Sequence, residues 1–271
     1  MGKPAFRAGR MDLKKNMVMR EEFGFKEDFL FGTRTVIEAI RAGRSIDKVL
    51  LRSGLNNELF GELYQLIKEN NIPFQYVPVE KINRVTRKNH QGVLAFISPV
   101  DFFRIEDILP QIYEKGEDPL LLVLDQVTDV RNFGAIVRSA ECAGVHAVII
   151  PEKGAARIGS DAVKTSAGAL NILPVCRTGN LNTTVDFLKN SGIKVVAATE
   201  KAVQLYTESD MSGPLAIVMG SEDTGISDKL LRSADILAKI PIMGKIQSLN
   251  VSVAASLMVY EAVRQRNMVQ G

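Results

Sequence analysis

The sequence predicts a two-part α/β protein, a small N-terminal α/β unit followed by a larger C-terminal unit built on a parallel sheet. Two observations carry this. From residue 119 onward, apolar runs at 119–124, 145–150, 171–175, 193–198, 215–219 and 235–240 alternate with helical segments near 133–144, 180–190, 227–233 and 249–266. Runs that are apolar throughout, rather than at every second position, belong to strands buried on both faces, as in parallel sheets covered by helices on both sides. Ahead of them, residues 101–118 hold Pro110 and the polar cluster Glu114-Lys115-Gly116-Glu117-Asp118, the composition of a linker around a short helix.

Taken in order, residues 1–28 read as a flexible basic arm. Lys3, Arg7, Arg10, Lys14, Lys15 and Arg20 stand against Asp12 alone within its first 20 residues, with no apolar periodicity. Such an arm suits RNA phosphates or a solvated tail, and a transit peptide shares its composition. Residues 29–100 form the small unit. Helical spacing covers 32–41, a strand follows at 46–51, and Leu59, Leu63, Leu66 and Ile67 mark a helix over 57–69. Short strands follow at 74–77 and 93–97. Between them lie Arg84, Arg87, Lys88, Asn89, His90 and Gln91. Cations interleaved with hydrogen-bonding side chains on a loop fit a phosphate backbone, and equally fit a solvated surface. Residues 119–271 form the larger unit.

Composition narrows the function classes. A chain of 271 residues with 46% hydrophobic and 24% charged residues has ordinary globular chemistry. No apolar stretch approaches the roughly 20 residues of a membrane helix. Cys142 and Cys176 have no metal-ligand spacing and make no disulfide framework, so both are expected as inert core residues in a reducing cytoplasm, with no metal site. His146 falls in an apolar run and is expected to be a satisfied core histidine.

Three stretches carry the chemistry: Asn132-Phe133-Gly134-Ala135-Ile136-Val137-Arg138, Met219-Gly220-Ser221-Glu222-Asp223-Thr224-Gly225, and Ile240-Pro241-Ile242-Met243 running on to Ser248-Leu249-Asn250-Val251-Ser252. Each follows an apolar run. Small and polar residues at the ends of parallel strands are where open α/β sheets build their sites, so the three are expected to meet in one crevice. No Gly-x-Gly-x-x-Gly follows the first strand of this unit, which excludes the ordinary dinucleotide grip. Asn132 precedes a helix and suits either an N-cap or a functional amide, while Arg138 suits either a surface position or the site. Gly220, Glu222 and Gly225 fit a tight turn or a close ligand approach. Ser248 is placed to cap the last helix, with Asn250 in its first turn. That helix carries Ser252, Ala255, Ser256 and Val259 on one face, for close packing on its own sheet or on a second subunit.

In this order and spacing the three stretches resemble the SpoU family of RNA 2′-O-ribose methyltransferases, of the knotted SPOUT class. The resemblance covers 119–271, and a looser likeness to the family's small RNA-binding domain, with its His-Gln-Gly-Val turn, covers 29–100. It implies a deep trefoil knot, bent S-adenosylmethionine as cofactor, structured RNA as substrate and a homodimer. It further implies Asn132, Arg138, Glu222, Ser248 and Asn250 as catalytic residues, with Gly220, Ile240, Leu249 and Thr199 in contact with the cofactor. Arg84, Arg87, Lys88 and His90 are the expected RNA contacts. The two-unit plan is most similar to enzymes that methylate guanosine in large-subunit ribosomal RNA, with transfer RNA and a non-catalytic ribosome-assembly role as the alternatives.

Overall fold

A computed structural model describes residues 29–269, and the basic arm lies outside the described residues. The small unit is a mixed four-stranded sheet in the order β1-β4-β2-β3. In chain order it runs β1 (Phe29–Phe31), α1 (Thr33–Arg41), β2 (Ile46–Arg52), α2 (Glu58–Glu69), β3 (Phe74–Val77), α3 (Val79–Asn83) and β4 (Val93–Ile97). β2 and β3 are parallel, while β4 runs antiparallel to both β1 and β2. Alternation along β2 sorts its side chains. Val49 and Leu51 pack under α1 and α2 with Val36, Ile37, Leu63 and Ile67, whereas Leu50 faces Ile82 of α3. Asn57 caps α2 by accepting from Phe60 N at 2.8 Å.

The second unit is a seven-stranded, wholly parallel sheet in the order β11-β9-β10-β6-β7-β8-β5. Segment 101–118, expected as a linker, contributes the edge strand β5 (Phe102–Phe103) and the helix α4 (Ile105–Glu114) to this unit. Pro110 sits inside α4. Its cost of about 3 kcal/mol is outweighed by burying Ile105, Leu109 and Ile112, each contributing roughly 1.5–3 kcal/mol.

The remaining elements are β6 (Leu120–Asp125), α5 (Val130–Cys142), β7 (Ala147–Pro151), α6 (Ser160–Thr165), β8 (Val175–Thr178), α7 (Leu181–Asn190), β9 (Lys194–Ala198), β10 (Leu215–Gly220), α8 (Asp228–Ser233), β11 (Ile236–Ala238) and α9 (Val251–Val269). The apolar run expected as a strand at 171–175 ends a 3-10 turn, Ala169–Asn171, and β8 starts only at Val175. β6 is buried along its whole length. Leu120, Leu122 and Leu124 enter one core with α5, α6 and α9, and Leu121 and Val123 enter the other with α4, α7 and α8. The unbroken apolar runs have this physical cause: each strand must satisfy two cores at once. Ala255 and Val259 of α9 pack in the first of these cores, so the small-residue face serves the chain's own sheet.

After β11 the chain passes against the loop that follows β9. Thr199 N donates to Ala238 O at 2.9 Å, Lys239 N to Gln204 O at 3.0 Å, and Tyr206 N to Lys239 O at 2.9 Å. Because all seven strands are parallel, the ends of β6, β9 and β10 open on one edge of the sheet.

Candidate functional site

At that edge the three stretches meet. Asn132 lies in the first turn of α5, Glu222 in the turn after β10, and Asn250 just before α9. Asn132 Nδ2 donates to Glu222 Oε1 at 3.1 Å. Asn250 Nδ2 donates to the same oxygen at 2.6 Å and to Asn132 Oδ1 at 2.9 Å. Val251 N completes the junction, donating to Glu222 Oε1 at 3.0 Å. A carboxylate is favoured here because the first free N–H groups of a helix carry partial positive charge. Glu222 Oε2 has no partner among the described residues.

The capping residues differ from those the sequence suggests. Asp129, not Asn132, caps α5, accepting from Asn132 N at 2.7 Å. Asn250, not Ser248, caps α9: its Oδ1 accepts from Ser252 N at 2.9 Å and from Ser252 Oγ at 2.5 Å. α5 thus begins earlier in the chain than the sequence suggests and α9 later, and Asn132 is released for the junction. Ser248 is exposed in the stretch before α9 and does not join the junction.

Arg138 is exposed on α5 and has no hydrogen-bond or ion-pair partner among the described residues. Its six-residue separation from Asn132 is roughly 9 Å along the helix axis. Glu222 therefore does not orient it within this chain.

The turn between β10 and α8 is compact. Ser221 and Gly225 form a β-bridge. A Cβ built on Gly220 would stand 2.1 Å from the Gly225 carbonyl carbon, so no side chain fits there. Asp125, at the end of β6 and 6% exposed, accepts from Ser227 N at 2.8 Å and pins the far end of the turn. Sequence reasoning missed Asp125 and Asp129. An acid closing the apolar strand Leu120–Asp125 was the available signal.

Residues 241–250 are exposed throughout, and among the described residues 240–249 make no backbone–backbone hydrogen bond. Ile242, Met243, Ile246 and Leu249 leave apolar surface open along them. Thr199 is buried nearby in the fold, its Oγ1 accepting from Lys201 N at 3.3 Å. Unpaired main-chain polar groups beside open apolar side chains fit a ligand with both a heteroaromatic ring and a polar tail.

On the small unit, Arg84, Arg87 and Lys88 are exposed, with Arg84 and Arg87 beside Glu80 and Asn83 in a shallow cleft. Lys88 Nζ lies 5.6 Å from the Phe31 ring centroid. His90 differs: it is 8% exposed, its Nδ1 accepts from Gly92 N at 2.9 Å, and its Nε2 pairs with Asn83 Oδ1 at 2.9 Å. Both ring nitrogens are used inside the protein, so His90 braces the loop that presents the cations.

The other candidate groups are structural. His146 is half-buried before β7, its Nδ1 accepting from Leu120 N at 3.0 Å and its Nε2 lying 3.1 Å from Glu117 Oε2. Cys176 is buried, which pushes its thiol up to about 12, whereas Cys142 is exposed, contrary to expectation. No described helix is long and apolar enough to cross a membrane.

A mixed small unit on a parallel α/β unit, with three strand-end motifs closing on one carboxylate, defines a two-domain RNA methyltransferase that uses S-adenosylmethionine. The chain belongs to the SpoU rRNA methylase family, whose model matches residues 119–260, and the model for RNA 2′-O ribose methyltransferase substrate binding matches residues 29–103. The Bacillus subtilis protein YacO, named as a TrmH family tRNA/rRNA methyltransferase, is 34% identical over 244 residues, 90% of this chain and 98% of its own. The AdoMet-bound rRNA methyltransferase of Sinorhizobium meliloti superposes with a TM-score of 0.57 at 25% identity, covering 93% of this chain and 91% of that one. A TrmH/SpoU tRNA modifying enzyme from A. aeolicus superposes at 0.52 with 30% identity, covering 61% of this chain and 86% of its own.

Proposed function

We propose that this chain methylates the ribose 2′-oxygen of a guanosine in large-subunit ribosomal RNA, as a cytoplasmic homodimer. One observation carries the reading: Asn132, Glu222 and Asn250, from three distant stretches, converge beside the open main chain of 240–249. Ribosomal RNA is favoured because the S. meliloti rRNA methyltransferase matches both units, whereas the A. aeolicus tRNA modifying enzyme matches 61% of this chain. Transfer RNA is the second reading, favoured by that enzyme's higher identity. Guanosine rests on the resemblance described above.

S-adenosylmethionine supplies a methyl group activated on a sulfonium. Gly220, Ile240 and Leu249 would hold it by main-chain atoms, with Thr199 behind the loop. The implied trefoil knot belongs to the stretch where the chain after β11 passes the loop 199–206. For its oxygen to accept that methyl group, the ribose 2′-hydroxyl must give up its proton. A guanidinium is too weak an acid to serve as the base. Arg138 therefore stabilises the forming alkoxide and grips the adjacent phosphate, which takes the proton. Asn132 and Asn250 orient the ribose, Glu222 holds both amides, and Ser248 contributes its hydroxyl from the same stretch. Holding the reacting atoms in line contributes on the order of 7–11 kcal/mol in favourable cases.

Arg84, Arg87 and Lys88 grip RNA phosphates, with His90 fixing their loop. The dimer forms through Leu249, Val253, Leu257 and Tyr260, an exposed apolar stripe at helical spacing along the start and outer face of α9. Incubating the protein with labelled S-adenosylmethionine and total RNA from a strain lacking it tests the reading. Alkali-resistant dinucleotides mapping to large-subunit RNA are expected. Label in transfer RNA selects the second reading, and no incorporation favours a binding protein.

A further inference from the structure

Among the described residues the two units share no apolar core. The buried clusters of the small unit end at Ile97, and those of the large unit begin at Val100. Where apolar burial does not join two domains, relative motion is the default and the contacts that cross the seam decide the angle. Arg177, in β8, makes the deepest of these. Its Nη2 lies 2.6 Å from Asp47 Oδ1 and its Nη1 donates to the Asp47 carbonyl at 3.3 Å, with both side chains 11% exposed. The guanidinium also stacks 3.4 Å from the centroid of the Phe102 ring. Two flanking contacts support it: Ser45 Oγ donates to Asp101 Oδ1 at 2.5 Å, and the Arg157 guanidinium lies 3.9 Å from the Phe96 ring centroid.

Stability does not explain the arrangement. Burial pulls the Arg177 guanidinium down against the upward pull of Asp47, and its Nε is buried without a partner among the described residues. A buried ion pair is a weak source of stability, and an unsatisfied donor adds cost. What a planar fork gains, when it grips one residue from two nitrogens and stacks on a ring, is a single orientation. β8 ends on the same sheet edge as Asp125 and Gly220, so this contact ties the small unit to the edge that carries the junction.

We propose that Arg177 is a positioning residue for RNA methylation: through Asp47 and Phe102 it sets the angle at which the small unit presents RNA to the Asn132–Glu222–Asn250 junction. This rests on the reading of the junction as the transfer site. A fixed angle holds the second grip on the RNA at a constant effective concentration and orientation, which a loose hinge loses.

The test uses the full chain carrying Arg177→Met with Asp47→Leu, which removes both charges and orphans neither. Spin labels at Glu58→Cys and Asp186→Cys, in a Cys142→Ser background, report the angle between the units. The expected result is a broadened distance distribution, S-adenosylmethionine affinity within twofold of the parent, and kcat/KM for RNA reduced at least tenfold. Arg177→Lys should fall between. An unchanged narrow distribution overturns the proposal, and so does a broadened one with unchanged kcat/KM. Should the double variant fail to fold, Phe102→Leu, which removes the stack alone, is read by the same outcomes. If the parent methylates no RNA, the proposed function fails, and the distances alone decide whether Arg177 orients the units.

Discussion

Asn250 and Glu222, 28 residues apart, are joined by a 2.6 Å hydrogen bond that fixes the start of α9 against the turn after β10. Glu222 thereby acts first as an anchor for a helix and two amides. Replacing Glu222 or Asn250 by Ala is expected to destabilise the protein by about 0.5–2 kcal/mol, the range for a lost helix cap, and to lower transfer sharply. Their double-mutant cycle should show a coupling of about 0.5–3 kcal/mol in denaturant titrations. Additive effects would mean that the two side chains act independently.

Arg138 stands apart from that junction, exposed and unpartnered among the described residues. Arg138→Ala should therefore change stability by no more than about 0.5 kcal/mol. Transfer should be abolished while cofactor affinity, measured calorimetrically, stays near that of the parent. Equal loss of both would remove Arg138 from the proposed role.

Gly220→Ala brings a Cβ to 2.1 Å from the Gly225 carbonyl carbon, which is backbone and cannot step aside. Overpacking of this kind costs typically about 1–3 kcal/mol and here also displaces the turn carrying Glu222, so a lowered melting temperature together with weakened cofactor binding is expected. A variant with normal melting and binding would show that the turn is free to move.

For the basic loop, Arg84→Ala combined with Arg87→Ala should weaken RNA binding and flatten its salt dependence, by about 0.7–0.9 in log–log slope for each phosphate no longer neutralised. His90→Ala should act differently, loosening the loop at about 1–3 kcal/mol through loss of its buried hydrogen bonds. Hydrogen exchange across residues 84–92 separates the two effects.

Asp210 gives a pH signature remote from the site. Hydrogen bonds from Lys194, and then from the hydroxyl and N–H of Ser212, hold its carboxyl down to about 2 from an ordinary 3.8. A depressed folded-state value means stability that is present above pH 3.8 and lost as the pH falls toward 2. Asp210→Asn should accordingly lower the melting temperature near neutrality and cost progressively less in acid, by a modest margin because the side chain is 61% exposed. A constant difference between the two proteins from about pH 6 down to about pH 2 would contradict the linkage.

Sequence by itself determined the two-unit plan, the parallel sheet and the three stretches of the site. The reason is local: a strand buried on both faces must be apolar at every position, as Leu120–Leu124 is, and residues at strand ends must be small or polar. It did not reach the capping residues, where Asp129 and Asn250 replace Asn132 and Ser248, because several polar residues near a helix start compete and packing selects among them. The joining of 101–118 to the large sheet was equally hidden, since Pro110 and a charged cluster look like a linker until Ile105, Leu109 and Ile112 find a surface to cover. Only the tertiary structure decided that His90 is internal, that Glu222 collects donors from residues 90, 28 and 29 positions away, and that Arg177 crosses to Asp47 over a separation of 130. Such contacts depend on geometry that closes only when the whole sheet is assembled, and no local periodicity encodes them.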